Sequence, residues 1–496
     1  MAPDSPAIVE EDRVTSFSEL FAQASVLASR LVQHGVQKQD RIVLVLPKNT
    51  EAIIAVFACL LARAIYVPIH PSWPKERIEA VLSGCAARLV IEADGPAPRI
   101  TDRQTGVSIP WQAQPTTLPG QTSLPGIVPL LGADAADPAL ILFTSGSTGQ
   151  PKGVVLSHNA VSTFVRWTAF EFQIRSHDRI ASPSPLGFDL STFDIFNMAL
   201  CGAACVLIPA EIVWMPRFLV QFLRRGRITC WYSVPSILAG MLQDGRLAEH
   251  EFPDLRLILF AGEVFPGPGV ARLQAAIPQA VCANLYGPTE TNVVTWCRVP
   301  QKFEGSQQLP IGHPCPYATV MVDAESGELL AGGGSLMSGY WNRPEDSERA
   351  FVWLNGKQYY RTGDRVSVAP DGSYLFTGRI DRQVKRRGFR IELGEIEAAL
   401  TRHEDILEAA VIAAEDGRRG TFITAFVRGR IERALTLVQA KAHCAQALPP
   451  YMVPDQILFV DALPKGNRGK VDYLALGRMA EGLNRGDQDR SPEVHC

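Results

Sequence analysis

Leu142-Phe143-Thr144-Ser145-Gly146-Ser147-Thr148-Gly149-Gln150-Pro151-Lys152-Gly153 brings four hydroxyls, three glycines and a lysine into one loop. Glycine lets backbone amides approach an anion, hydroxyls add donors and lysine adds charge, so the composition suits a phosphate cradle. A flexible Ser/Gly surface turn has the same composition. The P-loop of kinases and GTPases does not apply, because no Gly-Lys-Ser/Thr closes the loop and no helix signal follows at once. A second candidate site lies at Pro185-Leu186-Gly187-Phe188-Asp189-Leu190-Ser191-Thr192-Phe193-Asp194-Ile195-Phe196, where two carboxylates sit in an apolar, aromatic run. A carboxylate in such company is costly unless it is paired or awaits a ligand cation. The alternative for Asp189 is the cap of a helix that begins near Ser191.

The elements that must position these residues are legible from periodicity. Ala139 to Phe143 is a short buried strand feeding the loop. Phe17 to His34 has apolar residues at helical spacing, and Ser18-Glu19-Leu20 gives it a start. Arg41 to Leu46 is a strand ended by Pro47-Lys48-Asn49, Glu51 to Ala62 a helix, and Tyr66 to Ile69 and Ala87 to Ile91 further strands. That alternation predicts a parallel sheet covered by helices. Gly95 to Pro138 is loop-dominated, and Asn159 to Phe172 reads as a helix. Thr229 to Tyr232, Leu255 to Phe260 and Ala280 to Leu285 are strands ending in Ser233-Val234-Pro235, Ala261-Gly262-Glu263 and Tyr286-Gly287-Pro288-Thr289-Glu290. Ligands collect at the carboxyl ends of parallel strands, so these ends and the loop define one crevice.

From Leu309 to Gly378 short alternating runs predict a small antiparallel β unit, including Tyr359-Tyr360-Arg361-Thr362-Gly363-Asp364. Six of the twelve residues from Arg379 to Arg390 are Lys or Arg. One short run with little aromatic interleaving, in a chain of net charge −3, reads as a solvated basic hairpin and not a nucleic-acid patch. Glu392 to Thr401 reads as a helix opening a C-terminal α+β region, and Leu463 to Asp472 is a glycine-rich turn presenting Lys470.

At 496 residues the chain is too long for one core. Its 46% hydrophobic and 20% charged content is ordinary for a globular enzyme. Met1 to Leu20 lacks a secretory signal and no apolar run approaches a membrane span, so the sequence reads as cytoplasmic. The ten cysteines are scattered and read as buried free thiols; Cys201 and Cys205 lack a second pair to complete a zinc set.

Taken in order, the opening loop, Asn284-Leu-Tyr-Gly-Pro-Thr-Glu290, Tyr360-Arg-Thr-Gly-Asp364, Gly378-Arg-Ile-Asp381 and Gly469-Lys470 resemble the adenylate-forming superfamily. Within it the chain is similar to the free-standing amino acid adenylation enzymes of nonribosomal peptide synthesis, collinearly from about Thr15 to Asp472. The resemblance implies an α/β fold. A large N-terminal domain, residues 1–380, would hold two packed α/β sheets plus a small β barrel. A smaller, mobile α+β domain, residues 381–496, would hinge at Asp381. It implies that a carboxylate attacks the α-phosphate of ATP, and that the thiol of a phosphopantetheine arm then takes the acyl group.

Carried over residue by residue, Lys470 would stabilise the charge developing between carboxylate and α-phosphate. Glu290 would hold Mg²⁺. Thr144, Ser145, Gly146, Ser147, Thr148, Gly149, Lys152 and Thr289 would meet the phosphates, Lys152 following the departing pyrophosphate. Asp364 would accept the ribose hydroxyls with Arg379 assisting, Tyr286 would lie along the adenine ring with Gly262 and Glu263 lining that end, and Gly287 would also meet the ATP. In the thiolation state Gly388 would flank the pantetheine tunnel and Lys385 would replace Lys470; otherwise Lys385 is a solvated surface lysine. Gly466, where relatives have Thr, and Ala62-Arg63-Ala64-Ile65 depart from the family pattern without touching a charged role.

Asp189 matches the aspartate that binds the substrate's α-amino group. Leu190, Phe193, Tyr232, Leu259, Ala261, Leu285, Val293 and Val294 would form the remaining pocket, apolar except for one hydroxyl. A charged substrate side chain would be buried unpaired there. The lining resembles that of prolyl-adenylating enzymes, although Phe193 is larger than their usual aliphatic residue. L-Proline is the expected substrate, with pipecolate, Ala or Val behind it. No carrier attachment or condensation motif is present, so a separate peptidyl carrier protein is expected as partner. The competing readings are an acyl-CoA synthetase using free coenzyme A, which Asp189 opposes, and a nucleotide-binding scaffold, which Lys470, Glu290 and Asp364 oppose.

Overall fold

Two large sheets arise from the apolar runs of the first 380 residues. The computed structural model describes residues 2–95, 97–111, 134–146, 151–416, 420–430, 435–465 and 470–486. One sheet has nine strands, in the order His313–Pro314, Thr295–Arg298, Val281–Tyr286, Leu257–Ala261, Cys230–Ser233, Arg179–Ser182, Ala204–Leu207, Pro6–Glu10 and Arg13–Ser16. From Val281–Tyr286 to Pro6–Glu10 every neighbouring pair is parallel. The other sheet has eight strands, with Leu89–Glu92, Arg41–Val45, Ile65–Ile69 and Pro138–Thr144 parallel at its centre. Near-continuous burial of those strands matches helices covering a parallel sheet.

One hydrophobic core takes residues from both sheets and from the helices between them. Phe57, on the helix Thr50–Leu61, meets Phe196, on the helix Ser191–Cys201, edge-on at 6.2 Å. The nine-stranded sheet is clamped at its amino-terminal edge by Asp178, which is fully buried as a side chain. Arg256 Nε and Nη2 donate to its two oxygens at 2.9 and 2.6 Å, Thr229 Oγ1 at 2.7 Å and the Arg175 amide at 2.7 Å. Three adjacent strands therefore start from one carboxylate.

The expected small β unit is a five-stranded antiparallel sheet of Ala318–Val322, Glu328–Gly333, Phe351–Leu354, Lys357–Val368 and Tyr374–Arg379. Gly339–Tyr340, inside that sequence range, instead pairs with Lys152–Ser157 in the eight-stranded sheet. The first long helix, Phe17–Gln33, is capped two residues before Ser18, by Ser16. Its hydroxyl accepts from the Glu19 amide while the Glu19 carboxylate accepts from the Ser16 amide at 2.8 Å, a reciprocal box that fixes the boundary.

By packing, the chain forms two compact units. One comprises Met1–Pro71, Ala80–Phe143 and Lys152–Ile380; the other comprises Ser72–Glu79, Thr144–Pro151 and Asp381–Cys496. The second contains the hairpin Gln383–Arg386/Phe389–Glu392 and a three-stranded sheet of Ile406–Asp416, Gly420–Gly429 and Gln456–Phe459. It has its own core around Ile391, Ile396, Val411, Ala425 and Met452.

Candidate active site

Asp189 stands immediately before the helix Ser191–Cys201 and is half-buried. It is not the helix cap: the cap position is Leu190, which offers no side-chain bond. Hydroxyls hold the turn instead. Ser191 Oγ donates to the Phe188 carbonyl at 2.6 Å and Thr192 Oγ1 to the Asp189 carbonyl at 2.5 Å. Asn292, in the left-handed region at φ 51°, donates through Nδ2 to Thr192 Oγ1 at 3.4 Å and accepts from the Val293 amide at 2.8 Å. The Asp189 turn and the Val293 wall are therefore joined side chain to side chain.

The residues expected to wall the amino acid site fall where strand register puts them. Tyr232 lies opposite Leu259 and Ala261 opposite Leu285 on adjacent parallel strands. Leu190, Phe193, Tyr232, Leu259, Ala261, Leu285 and Val293 are all buried in the main core. Phe193 meets the Tyr232 ring edge-on at 5.3 Å. Burial, then the charges of Asp189 and Asp194, push the Tyr232 phenol well above its ordinary range, so it stays a neutral hydroxyl. Val294 is different. It joins Tyr286, Leu329 and Val366 in a separate cluster next to the five-stranded sheet.

Among the residues expected to meet the nucleotide, Tyr286, Asp364 and Arg379 are joined by side-chain bonds. Asp364 is 2% exposed. Its Oδ2 accepts from Tyr286 Oη at 2.5 Å, and its Oδ1 accepts from Arg379 Nη1. A carboxylate has about four lone-pair sites, so it keeps acceptor capacity beyond these two bonds. Gly287 has to be glycine, because a Cβ there would lie 1.6 Å from the Asn292 carbonyl oxygen. Gly262, at φ 91°, takes the left-handed turn after its strand. Glu263 has a structural task as well: its Oε2 accepts from the Ser236 amide at 2.9 Å, in the first turn of the helix Pro235–Gln243.

A third group surrounds Glu290, 1% exposed, whose Oε1 accepts from Tyr340 Oη at 2.8 Å. Thr289, beside it, is half-buried. Lys152 pairs with Asp346 at 3.3 Å and its ammonium lies 5.3 Å from the centre of the Tyr340 ring. Tyr340 thus links the carboxylate and the lysine, a role the sequence alone did not suggest; the Gly339-Tyr340 step returning to the strand that carries Lys152 was the available signal. Among the described residues no three His, Cys, Asp or Glu gather as a metal cluster, and no helix is long and apolar enough to cross a membrane. The nine described cysteines are free, and seven are buried.

In the second unit, Ser145 Oγ donates to the Arg390 carbonyl at 2.6 Å. Thr144 ends its strand, and Gly146 follows Ser145; Ser147, Thr148 and Gly149 lie outside the described residues. Lys385 is on the first strand of the basic hairpin. Arg387 and Gly388, both with positive φ (52° and 80°), make its two-residue turn, which is why glycine stands there. Asp381 begins the unit's C-terminal stretch and accepts from the Gln383 amide at 3.1 Å. Lys470 is exposed, just before the bridge of Val471 to Lys465.

With this geometry in place, comparison with known proteins gives the class. Residues 1–341 match the AMP-binding enzyme family and residues 395–470 the AMP-binding enzyme C-terminal domain. The chain belongs to the AMP-binding enzyme family. It is 37% identical to an L-proline–[L-prolyl-carrier protein] ligase of Pseudomonas fluorescens, over 97% of each chain. It is also 37% identical to a ligase of the same name from Streptomyces coelicolor, over 95% of this chain and 93% of that one. Among solved structures it resembles a Vibrio cholerae adenylation domain in complex with glycyl-adenosine-5'-phosphate (TM-score 0.82, 25% identity, 97% and 95% of the two chains). It also resembles a protein containing adenylation and PCP domains (TM-score 0.79, 25% identity, 96% and 82%).

Proposed function

We propose that this chain is an ATP-dependent ligase that activates L-proline as prolyl-AMP and passes it to the phosphopantetheine thiol of a separate carrier protein. The observation that carries the reading is a cluster: Leu190, Phe193, Tyr232, Leu259, Ala261, Leu285 and Val293 are buried in one core, and the half-buried carboxylate of Asp189 adjoins them in the chain at Leu190. That arrangement suits a substrate with an ammonium and a small apolar body. The likeness to the two proline ligases supports the same choice.

In the first step an oxygen of the proline carboxylate bonds to the α-phosphorus of ATP as the bond to the β-phosphate bridging oxygen breaks, releasing pyrophosphate. Asp189 holds the ammonium. Two anions must approach each other, so Lys470 offsets the charge that develops between them. Asp364, held by Tyr286 and Arg379, receives the ribose hydroxyls, and the Tyr286 ring lies along the adenine. Thr144, Ser145, Gly146, Ser147, Thr148, Gly149 and Thr289 take the phosphates, and Lys152 follows the pyrophosphate. A hard divalent cation is held by one or two carboxylates together with substrate phosphates, and a buried Glu290 oxygen beside Thr289 fits Mg²⁺. When bound, that ion would supply charge neutralisation on the phosphates. In the second step the carrier thiolate bonds to the prolyl carbonyl carbon and AMP leaves, with Lys385 in place of Lys470 and Gly388 beside the arm. Residues 381–496 would turn about Asp381 between the two steps.

ATP–pyrophosphate exchange across the common amino acids tests the reading: exchange should be greatest with L-proline. Strong exchange with another amino acid and none with proline would refute the substrate. Lys470→Ala should lower exchange by about 10²–10³-fold, yet spare transfer from supplied prolyl adenylate.

A further inference from the structure

Behind the Asp189 turn lies a second carboxylate that the mechanism does not use. Asp194, in the first turn of the helix Ser191–Cys201, is fully buried. Its Oδ2 accepts from Ser182 Oγ at 2.8 Å, and its Oδ1 is buried without a hydrogen-bond partner. The Ser182 hydroxyl in turn accepts from Lys48 Nζ at 3.1 Å. Lys48 Nζ also donates to the Ser184 carbonyl at 2.6 Å and to the Ser182 carbonyl. Lysine has three donors, and all three are engaged.

The placement gives this chain of bonds its meaning. Lys48 follows the strand Arg41–Val45 of the eight-stranded sheet, whereas Ser182 ends the strand Arg179–Ser182 of the nine-stranded one. Lys48 and Ser182 thus tie the two carboxyl edges, and Asp194 joins to them the helix Ser191–Cys201, which follows Asp189 and carries Phe193. That helix has no side-chain cap, so its seating depends on such contacts. Asn197, another buried polar residue of the helix, bonds Thr168 Oγ1 at 3.0 Å farther along. We propose that Lys48, Ser182 and Asp194 are positioning residues for amino acid recognition: they hold the helix so that Asp189 and Phe193 meet the substrate, and they occupy Asp194 so that Asp189 receives the ammonium. The charges agree with such a relay. Burial pushes the Asp194 carboxyl up to about 8 and pulls the Lys48 ammonium down to about 8, while each one's charge opposes the other's shift.

The inference rests on the amino-acid-activating reading, and its test separates the two. KM for L-proline, KM for ATP and kcat are measured by ATP–pyrophosphate exchange, with Tm alongside, for Asp194→Asn, Lys48→Met, Ser182→Ala, Lys48→Arg and the double variant Lys48→Met/Asp194→Leu. Misplacement of a binding group by about 1 Å can cost about 10²-fold. Proline KM should therefore rise about tenfold or more in the first three, with ATP KM and kcat within about twofold, and Lys48→Arg should recover most of the loss. Replacing both members of a buried ion pair by apolar groups is often neutral for stability. The double variant should then keep Tm but retain the raised proline KM, and it decides the matter if single variants do not fold. A double variant with wild-type proline KM, or proline and ATP KM that move together throughout, overturns the relay. A wild-type enzyme silent toward proline refutes the substrate alone, since the same ratios can be read with whichever amino acid it activates.

Discussion

At the amino-terminal edge of the nine-stranded sheet Asp178 accepts four hydrogen bonds; at the carboxyl edge Asp194 accepts one. Both side chains are buried, and each has a hydroxyl and a cation nearby. Their titrations run in opposite directions. Burial raises the Asp178 pKa, but the Arg256 guanidinium, the Arg175 amide and the Thr229 hydroxyl more than offset that, and the carboxyl is held below its usual range. At Asp194 burial wins, because the lysine charge arrives through a serine and not directly. A direct bidentate pair closes a sheet, whereas a relayed one leaves polar capacity at the edge where parallel sheets bind ligands. On the proposed reading, the first edge serves stability and the second serves recognition.

That contrast can be broken in several places. Asp189→Ala removes the proposed ammonium partner at the carboxyl edge, and losing one member of a buried charge pair costs about 3–5 kcal/mol. Proline KM should rise by two orders of magnitude or more with ATP KM unchanged; an unchanged proline KM would place the amine elsewhere. Asp178→Asn, at the opposite edge, should lower stability by about 3–5 kcal/mol in urea unfolding while leaving both KM values of the folded enzyme alone. A change in proline KM there would erase the division of labour. Asp364→Asn should raise ATP KM about tenfold, as expected for a charge-assisted bond of about 1.5–3 kcal/mol, without affecting proline.

The titrations offer a subtler test. A depressed carboxylate stabilises the fold above its unfolded pKa of about 3.9 and loses that contribution as pH falls through the folded value. The Tm gap between wild type and Asp178→Asn should therefore narrow below about pH 4. For Asp194 the sign reverses: the folded protein keeps a proton that the unfolded chain releases between about pH 4 and 8. Wild type should lose stability relative to Asp194→Asn as pH rises through that window. The smallest effect is expected for Glu263→Gln, which weakens a helix-start bond and should cost about 1 kcal/mol, with little change in ATP KM if the carboxylate is structural.

Motif order and strand positions were legible because glycine turns and apolar runs are local signals. The strands at Arg41, Tyr66, Thr229, Leu255 and Ala280 all form within a residue or two of expectation. The sequence also flagged both Asp189 and Asp194 as carboxylates in apolar company, but it could not separate their tasks. That distinction depends on Lys48 and Ser182, more than 130 residues apart in the chain. Lys48 read only as part of a strand-breaking Pro-Lys-Asn, and its meaning lies in the pairing of two sheets that no short window contains. The clamp of Asp178, Thr229 and Arg256 escaped notice for the same reason. The Ser16 cap, by contrast, is readable from its Ser-x-x-Glu spacing to Glu19, a spacing that the expected start at Ser18 lacks.

Val293 and Val294 divide between two clusters, one with the pocket residues and the other with Tyr286. Two neighbours in the chain thus serve different cores. The Val294 amide is hydrogen-bonded to the Tyr286 carbonyl at 2.8 Å, which leaves little slack between them. On the proposed reading, a redesign that enlarges the amino acid site through Val293 would therefore disturb the neighbouring nucleotide side. Libraries aimed at new amino acids would be better screened at low ATP, where that hidden cost becomes visible.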